Sequence, residues 1–357
     1  MSFPSTVLVY EFFTGGGCDL GEPPDGLACE ALAMLWAVLA DFRRWGSMRT
    51  LTALDPRFEE RIPGLNRSTL PADEVLCLPD TRHELFRSLL KRCDAVLIIA
   101  PERGEILAKL TAEAETARIP VLGSNASAVT TAGNKAACHR LFRKAKLPTP
   151  RTYEVGFAAA PLLAKQMGYP LIVKPVDGVG AEGVYEIERP CDLAEALDSV
   201  RQCTSREKIL LQSYTAGTHA SVSLIVEGNR CLPLSLNRQL IQTGSPFKYL
   251  GSQVPLAHPS GEFAVELACS AVKLLPGLRG YVGVDMVLTE DSAQLIEVNP
   301  RLTTSYIGLR RLTPVNLAQV IWEACMKGIL PDQVALTGRV TIKKDDPSSW
   351  GLSVGNL

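Results

Sequence analysis

The sequence predicts an α/β protein that becomes α+β in its second part. Two observations carry the first half of that reading. Strand and helix signals alternate along the first third of the chain, and its strands are uniformly apolar. Such strands, separated by helices, imply a parallel sheet covered on both faces. A third observation carries the other half. From about Ala126 the rhythm breaks, and strands follow one another across a glycine-rich turn as antiparallel neighbours do.

Composition sets the outer bounds. At 357 residues the chain has room for two or three packed units. Lysine and arginine number 37 against 38 acidic residues, so the net charge of −1 gives no general attraction to nucleic acid or to an anionic membrane. The ten cysteines are scattered, without a C-x-x-C pair, and read as small buried hydrophobes of a reduced, cytoplasmic protein. No signal peptide opens the chain. The most apolar helical run, Leu27 to Phe42, carries Glu30 and Asp41 with ten residues between them. A bilayer span needs about 20, so this is a buried helix.

In the first third, Val7 to Tyr10 reads as a strand that ends in "EFFTGGG". Leu27 to Phe42 follows as a helix, Met48 to Leu54 as a strand, Glu84 to Lys91 as a helix and Asp94 to Glu102 as a short apolar strand. Glu105 to Ala117 is helical and Ile119 to Asn125 is a further strand. Ligands of such sheets sit beyond the carboxyl ends of the strands, where "EFFTGGG" and "APERGE" emerge. Thr131 to Pro150 then reads as a basic helix and a proline-punctuated linker. "YPLIVKPVDGVGAEGVYEI", "KILLQSY" and "ASVSLIVEG" supply strands, and "NRQLIQTGSPFKYLGSQVP" reads as loop-rich. A helix at Glu262 to Leu275, the strands "YVGVDMVL" and "AQLIEVN", a helix at Val315 to Lys327 and a short tail complete the chain.

The most informative constellation lies between Gly280 and Tyr306. Asp285 sits inside an apolar strand, while Glu297 and Asn299 close the next one and share a face, and Arg301 follows Pro300. A five-residue loop, Thr289 to Ala293, puts Asp285 directly opposite Glu297; a four-residue loop puts them on opposite faces. A buried Asp and Glu side by side repel unless a cation neutralises them. Two carboxylates and an amide oxygen are hard ligands suited to one or two Mg²⁺ ions, with Mn²⁺ also compatible. The competing readings, a solvated hairpin or a pair sharing a proton, fit the apolar flanks less well.

The second constellation follows Lys174, which ends an apolar strand. Gly178, Gly180 and Gly183 then fall within six positions. Backbone N–H groups of such a loop can cover anionic oxygens while the lysine supplies a point charge. The loop is neither a Walker A motif nor a Rossmann fingerprint, because the strand Gly183 to Ile187 follows it. It reads as a flap between antiparallel strands, or as a plain flexible hairpin.

In order, the chain offers Lys135 opening a helix, Lys174 before the glycine loop, "KILLQSYTAG", Asp285, and Glu297-x-Asn299-Pro300-Arg301. That series resembles the ATP-grasp superfamily over roughly residues 126 to 335, and the first third looks like the domain that precedes it. The resemblance implies a pre-ATP-grasp parallel-sheet domain at 1–125 and a small lobe with the flap at 126–210. A large lobe with the metal site at 211–335 and a C-terminal strand or tail at 336–357 would follow. It implies that Lys135 and Lys174 contact ATP phosphates under the flap, and that Gln212, Ser213 and Tyr214 meet adenine. Many relatives carry glutamates at the positions of Gln212 and His219, so these are departures; His219 otherwise reads as a polar loop residue. Asp285, Glu297 and Asn299 would hold Mg²⁺, and Arg301 would face the transferring phosphoryl group. Arg238 is a second candidate for that anion or a surface arginine. The chemistry implied is transfer of the γ-phosphate to a carboxylate, then displacement of phosphate by an amine.

"VYEFFTGGG", "IAPE" and "NPRLTTSYIGL" look like the tyramine–glutamate ligases within that superfamily, which serve methanofuran- and methylofuran-type cofactor biosynthesis. Under that resemblance Glu11, Thr14, Gly15, Gly16, Gly17 and Glu102 would line the substrate end of the cleft. Phe12 or Phe13 would then pack on an aromatic ring. Glu102 reads equally as a helix N-terminal carboxylate. Thr303, Thr304 and Tyr306 either hold the amino-acid substrate or cap the following helix. The implied partners are small molecules, an amino acid and an amine, with a homodimer compatible. The competing functions are a ligase for another amino acid, dipeptide or purine precursor, an NAD-dependent oxidoreductase, and a non-enzymatic nucleotide-binding or scaffolding protein. A missing G-x-G-x-x-G argues against the oxidoreductase.

Overall fold

The computed structural model describes residues 5–18, 25–62, 64–77, 85–344 and 352–356. The chain opens with β1 (Thr6–Glu11), α1 (Asp25–Trp45), β2 (Arg49–Leu54), α2 (Pro56–Arg61) and β3 (Glu74–Cys77). It continues with α3 (Leu85–Leu90), β4 (Ala95–Ile99) and α4 (Ile106–Thr116). The four strands form a parallel sheet in the order β3-β2-β1-β4. β1 is apolar from Val7 to Val9 because both of its faces are covered. Val7 and Val9 pack with Leu35, Leu39 and Phe42 of α1, while Leu8 and Tyr10 pack with Leu89 and Leu107 of α3 and α4.

The strand expected at Ile119 to Asn125 is reduced to a single bridge between Val96 and Val121. Pro120 accepts from Val96 N at 2.9 Å but has no N–H to return to the ladder. Asn125 then caps α5 (Ala126–Ala132), its side chain accepting from Ala128 N, and Asn134 caps α6 (Lys135–Lys144) in the same way.

A second, antiparallel sheet follows, built from β5 (Thr152–Gly156), α7 (Ala160–Met167), β6 (Leu171–Pro175), β7 (Tyr185–Ile187), α8 (Leu193–Cys203) and β8 (Lys208–Ser213). Its order is β5-β8-β6-β7, and the glycine loop joins β6 to β7. Its core is its own, with Leu171, Leu193 and Leu211 at the centre.

The third sheet has the order β13-β12-β9-β10-β11-β14-β15 and is antiparallel throughout. Its elements are β9 (Thr218–Glu227), β10 (Arg230–Gln242), β11 (Lys248–Val254), α9 (Gly261–Lys273), β12 (Gly280–Leu288) and β13 (Ala293–Asn299). α10 (Ser305–Leu312), α11 (Leu317–Lys327), β14 (Val340–Lys344) and β15 (Leu352–Asn356) complete it. The stretch read as loop-rich is therefore most of the hairpin β10–β11. Asn237 and Gln239 put polar groups on one face of β10, and a register shift falls between Leu240 and Ile241. Together these hide the apolar alternation of an ordinary strand. α10 was expected only as an unbounded helix following Thr303 and Thr304. Part of the tail belongs to the sheet, since β14 pairs with β11 and β15 with β14.

α1 ties the first sheet to the third. Its apolar stripe shares one core with Tyr306 and Leu309 of α10 and Ile321 and Trp322 of α11. Asp41, fully buried on that stripe, accepts from Tyr306 Oη at 2.7 Å and from Arg310 Nε and Nη2 at 3.1 and 2.9 Å. Its carbonyl accepts from Asn316 Nδ2 at 2.8 Å. Removing one partner of such a network leaves the others buried and unpaired. Asp41→Ala is predicted to lower the unfolding free energy by about 3–5 kcal/mol, read from the urea midpoint at unchanged m. A midpoint equal to that of the wild type would contradict this role.

Candidate active site

The three sheets converge on one cleft of about 1640 Å³, counted with its open mouth. Glu11, Phe13 and α1 form one wall, the β6–β7 loop forms a roof, and β9, β10, β12 and β13 form the floor.

On the floor, Asp285 lies opposite Glu297. The loop between them is not the five-residue one on which that register was expected to depend. Leu288 pairs with Ala293, which leaves four loop residues, Thr289 to Ser292. A bulge then restores the register: Met286 faces Leu295 and Asp285 faces Glu297, with Ile296 as the extra residue. Burial, reinforced by the charge of Glu297, pushes the Asp285 carboxyl up to about 7. Burial also opposes ionisation of Glu297, but the Lys135 and Lys174 charges outweigh it and hold that carboxyl below its ordinary value. Of the pair, Asp285 is therefore the member that keeps a proton to the higher pH.

Lys135, at the first turn of α6, forms an ion pair with Glu297. Burial pushes the Lys174 ammonium down to about 8 against the attraction of Glu297. Lys174 Nζ donates to Gln212 Oε1 at 3.0 Å, and Gln212 Nε2 donates to Thr152 Oγ1 at 2.7 Å. A glutamine here satisfies both neighbours and adds no charge to the lysine. Gly178, Gly180, Gln212, Ser213 and Tyr214 line the cleft. Gly183 does not; it packs on Pro175 and Cys203. Gly180 and Ala181 both have φ of 66°, a left-handed pair that turns the roof sharply.

The loop after β4 reaches both sides of the cleft. Glu102 meets Arg301 in a two-point contact: Nη2 donates to Oε2 at 3.0 Å, and Nε sits 3.0 Å from Oε1 out of hydrogen-bond alignment. Arg103 pairs with Glu182 of the roof at 2.9 Å, and Gly104 N donates to Asp177 Oδ2 at 3.2 Å. Glu102 is thus spent on Arg301 and is not itself among the cleft-lining residues, contrary to the expectation that it meets substrate.

Several other expected contacts are not made. Gly15, Gly16 and Gly17 do not line the cleft, and neither does Thr14. The close approach their sequence suggested is to their own strand end. A Cβ on Gly15 would lie 2.6 Å from Glu11 O, and one on Gly17 would lie 2.2 Å from the Phe12 ring. Thr14 donates to Glu11 Oε2 from its N at 2.7 Å and its Oγ1 at 2.8 Å. Phe13, not Phe12, faces the cleft. Arg238 is exposed on the opposite face of β10, because Gln239 takes the inward position and its side chain hydrogen-bonds Asp285. Tyr306 is committed to Asp41. Thr303 and Thr304 do line the cleft, bonded to Tyr281 Oη at 3.1 Å and Tyr249 Oη at 2.6 Å, and Thr304 makes no side-chain cap of α10. His219 stands on β9, not in a loop, edge-on to Phe247 at 5.7 Å, with burial pushing its pKa down. Glu30 and Tyr249 also line the cleft. Neither was foreseen: one lay in a helix read as core, the other in the stretch read as loop.

Among the described residues no cluster of three or more histidine, cysteine or acidic side chains could hold a metal ion. The donor set on the floor is two carboxylates and the Asn299 amide, all facing the cleft. Two half-buried carboxylates side by side, one of them with its pKa raised by burial and by the other, fit a hard divalent cation, which would neutralise both.

The description "ATP-grasp domain" matches residues 132–305, and "pre ATP-grasp 3 domain" matches residues 48–129; together they cover well over half of the chain. A tyramine–L-glutamate ligase of Methanocaldococcus jannaschii is 32% identical over 239 residues, 66% of this chain and 65% of that protein. One from Methanocaldococcus fervens is 33% identical over 232 residues, 65% of this chain and 66% of that protein. The chain thus spans just under two thirds of the length of these curated relatives. The crystal structure of a putative ATP-grasp superfamily protein from Archaeoglobus fulgidus superposes with a TM-score of 0.72 at 25% identity, covering 99% of both chains. With a matching pair of domains and the acid pair, lysines and glycine roof in one cleft, the chain belongs to the ATP-grasp family.

Proposed function

We propose that the protein is an ATP-dependent carboxylate–amine ligase that releases ADP and phosphate. Its substrates on this reading are the γ-carboxylate of glutamate and an amine such as tyramine, as the names of the relatives suggest. The observation that carries the proposal is the half-buried Asp285–Glu297 pair, flanked by Lys135 and Lys174 beneath a glycine-rich roof.

A carboxylate is a poor electrophile, so the site must first convert it to an acyl phosphate. Asp285, Glu297 and Asn299 would hold one or two Mg²⁺ ions, which supply charge neutralisation at the phosphate oxygens when bound. Lys135 and Lys174 hold those oxygens in place, and Lys174 suits the task because burial has already removed its water. Arg301, aimed by Glu102, faces the group being transferred. Gln212 to Tyr214 lie where adenine would rest. The roof, latched through Arg103–Glu182, excludes water from an intermediate that would otherwise hydrolyse. The protein forms no covalent bond to substrate in this scheme.

Incubation with ATP, Mg²⁺, glutamate and a panel of amines is predicted to give ADP and an amide; AMP in place of ADP would overturn the acyl-phosphate route. Glu297→Ala and Lys174→Ala are each predicted to lower kcat/KM by roughly 100-fold or more, with the urea midpoint close to that of the wild type. Full activity in either folded variant would remove that residue from the site. Glu102→Ala is predicted to lower kcat with little change in KM for ATP, because it frees Arg301 without touching the nucleotide. A selective rise in KM would instead place Glu102 in nucleotide binding.

A further inference from the structure

Glu11 stands apart among the acids around the cleft. Glu297 is paired with Lys135, Glu30 with Lys344, Glu182 with Arg103 and Glu102 with Arg301, while Asp285 is the member of its pair that keeps a proton to the higher pH. Among the described residues no cation pairs with Glu11, although the residue is only 2% exposed and lines the cleft. Oε2 is fixed by the N–H and hydroxyl of Thr14, so the carboxylate cannot swing away to find water. Thr14 is fixed in turn from behind, its carbonyl accepting from Asp55 N at 2.7 Å. Beside Glu11 the wall is apolar, formed by Phe13, Leu27, Ala31 and Met34. An unpaired buried carboxylate is costly unless something positive meets it there.

We infer that Glu11 receives the ammonium group of the amine substrate and accepts one of its protons, with the substrate's apolar body against Phe13 and the inner face of α1. This rests on the ligase reading above. An ammonium has no lone pair with which to attack. Transfer of one proton to Glu11 leaves a neutral amine whose nitrogen then bonds to the acyl carbon. The carbon–oxygen bond to phosphate breaks, and the departing phosphate takes the second proton as the amide forms. The triple glycine acquires a purpose here, since the tight turn it permits places Thr14 under Glu11.

Burial pushes the Glu11 carboxyl up to about 7, against the hydrogen bonds from Thr14 and the charge of Arg301. The titratable and charged groups around it are Tyr10 on its own strand, Glu30 on α1, the Asp55–Arg57 pair behind Thr14, and Arg301 with Glu102. The sign follows directly. Below its pKa Glu11 is protonated and cannot accept, so kcat/KM for the amine, which reports the free enzyme, rises with pH through about 7.

The test compares wild type with Glu11→Gln, using tyramine as the amine and hydroxylamine as a small nucleophile uncharged at neutral pH. In the variant kcat/KM for tyramine is expected to fall roughly 100-fold or more and to lose that acid limb. Hydroxamate should still form at close to the wild-type rate. A variant that makes hydroxamate and also keeps its tyramine kcat/KM and acid limb overturns the inference and leaves the ligase reading standing. If neither protein makes hydroxamate or consumes ATP, the ligase reading fails and takes the inference with it. Wild type alone supplies a check that needs no variant. The limb must be present in kcat/KM for tyramine expressed per ammonium ion and absent with hydroxylamine expressed per unprotonated nucleophile, and a limb common to both overturns the inference.

Discussion

Two half-buried carboxylates held face to face across the β12–β13 hairpin set the electrostatic demand that the other groups of the cleft meet. Asp285 and Glu297 cannot both be charged there without compensation. Lys135 is placed on one by the first turn of α6, Gln239 of β10 hydrogen-bonds the other, and Lys174 approaches from the small sheet. Each comes from a different element, so folding the three sheets together is what assembles the site. Without a bound ion, the Lys135 and Lys174 charges compensate Glu297, and Asp285 is held toward its protonated form.

The cores divide the molecule into two packed units. α1, α10 and α11 share one core with the first and third sheets, tied at Asp41, so the α1 wall and the third sheet pack into one unit. The small sheet, with its own core, carries Lys174 and the roof. The loop after β4 bridges the two bodies, holding Arg301 by Glu102 and the roof by Arg103 and Gly104.

Much of this was legible in the residues. The parallel first sheet followed from β1 and β4 being apolar on both faces, and the acid pair from carboxylates inside an otherwise apolar hairpin. The chain hid other features for physical reasons. β10 was invisible as a strand because the face it turns to the cleft is polar, which is what a cleft floor requires. The bulge at Ile296 cannot be read from loop length, so the register came out as expected by a different route. Glycines at 15 and 17 signalled a close approach truly, but the partner is the protein's own Glu11 and Phe12. Tyr306 and Glu102 carried groups suited to a ligand and proved committed to Asp41 and Arg301, partners 265 and 199 residues away.

On the ligase reading proposed above, the acid pair is a cradle for a divalent cation that brings nucleotide with it. Calorimetric titration of ADP into the wild type and Glu297→Gln, with magnesium and with chelator, tests it most directly. The account predicts that magnesium tightens ADP binding to the wild type by roughly tenfold or more, about 1.4 kcal/mol, and has little effect on the variant. Equal ADP affinity for the wild type with and without magnesium would contradict it.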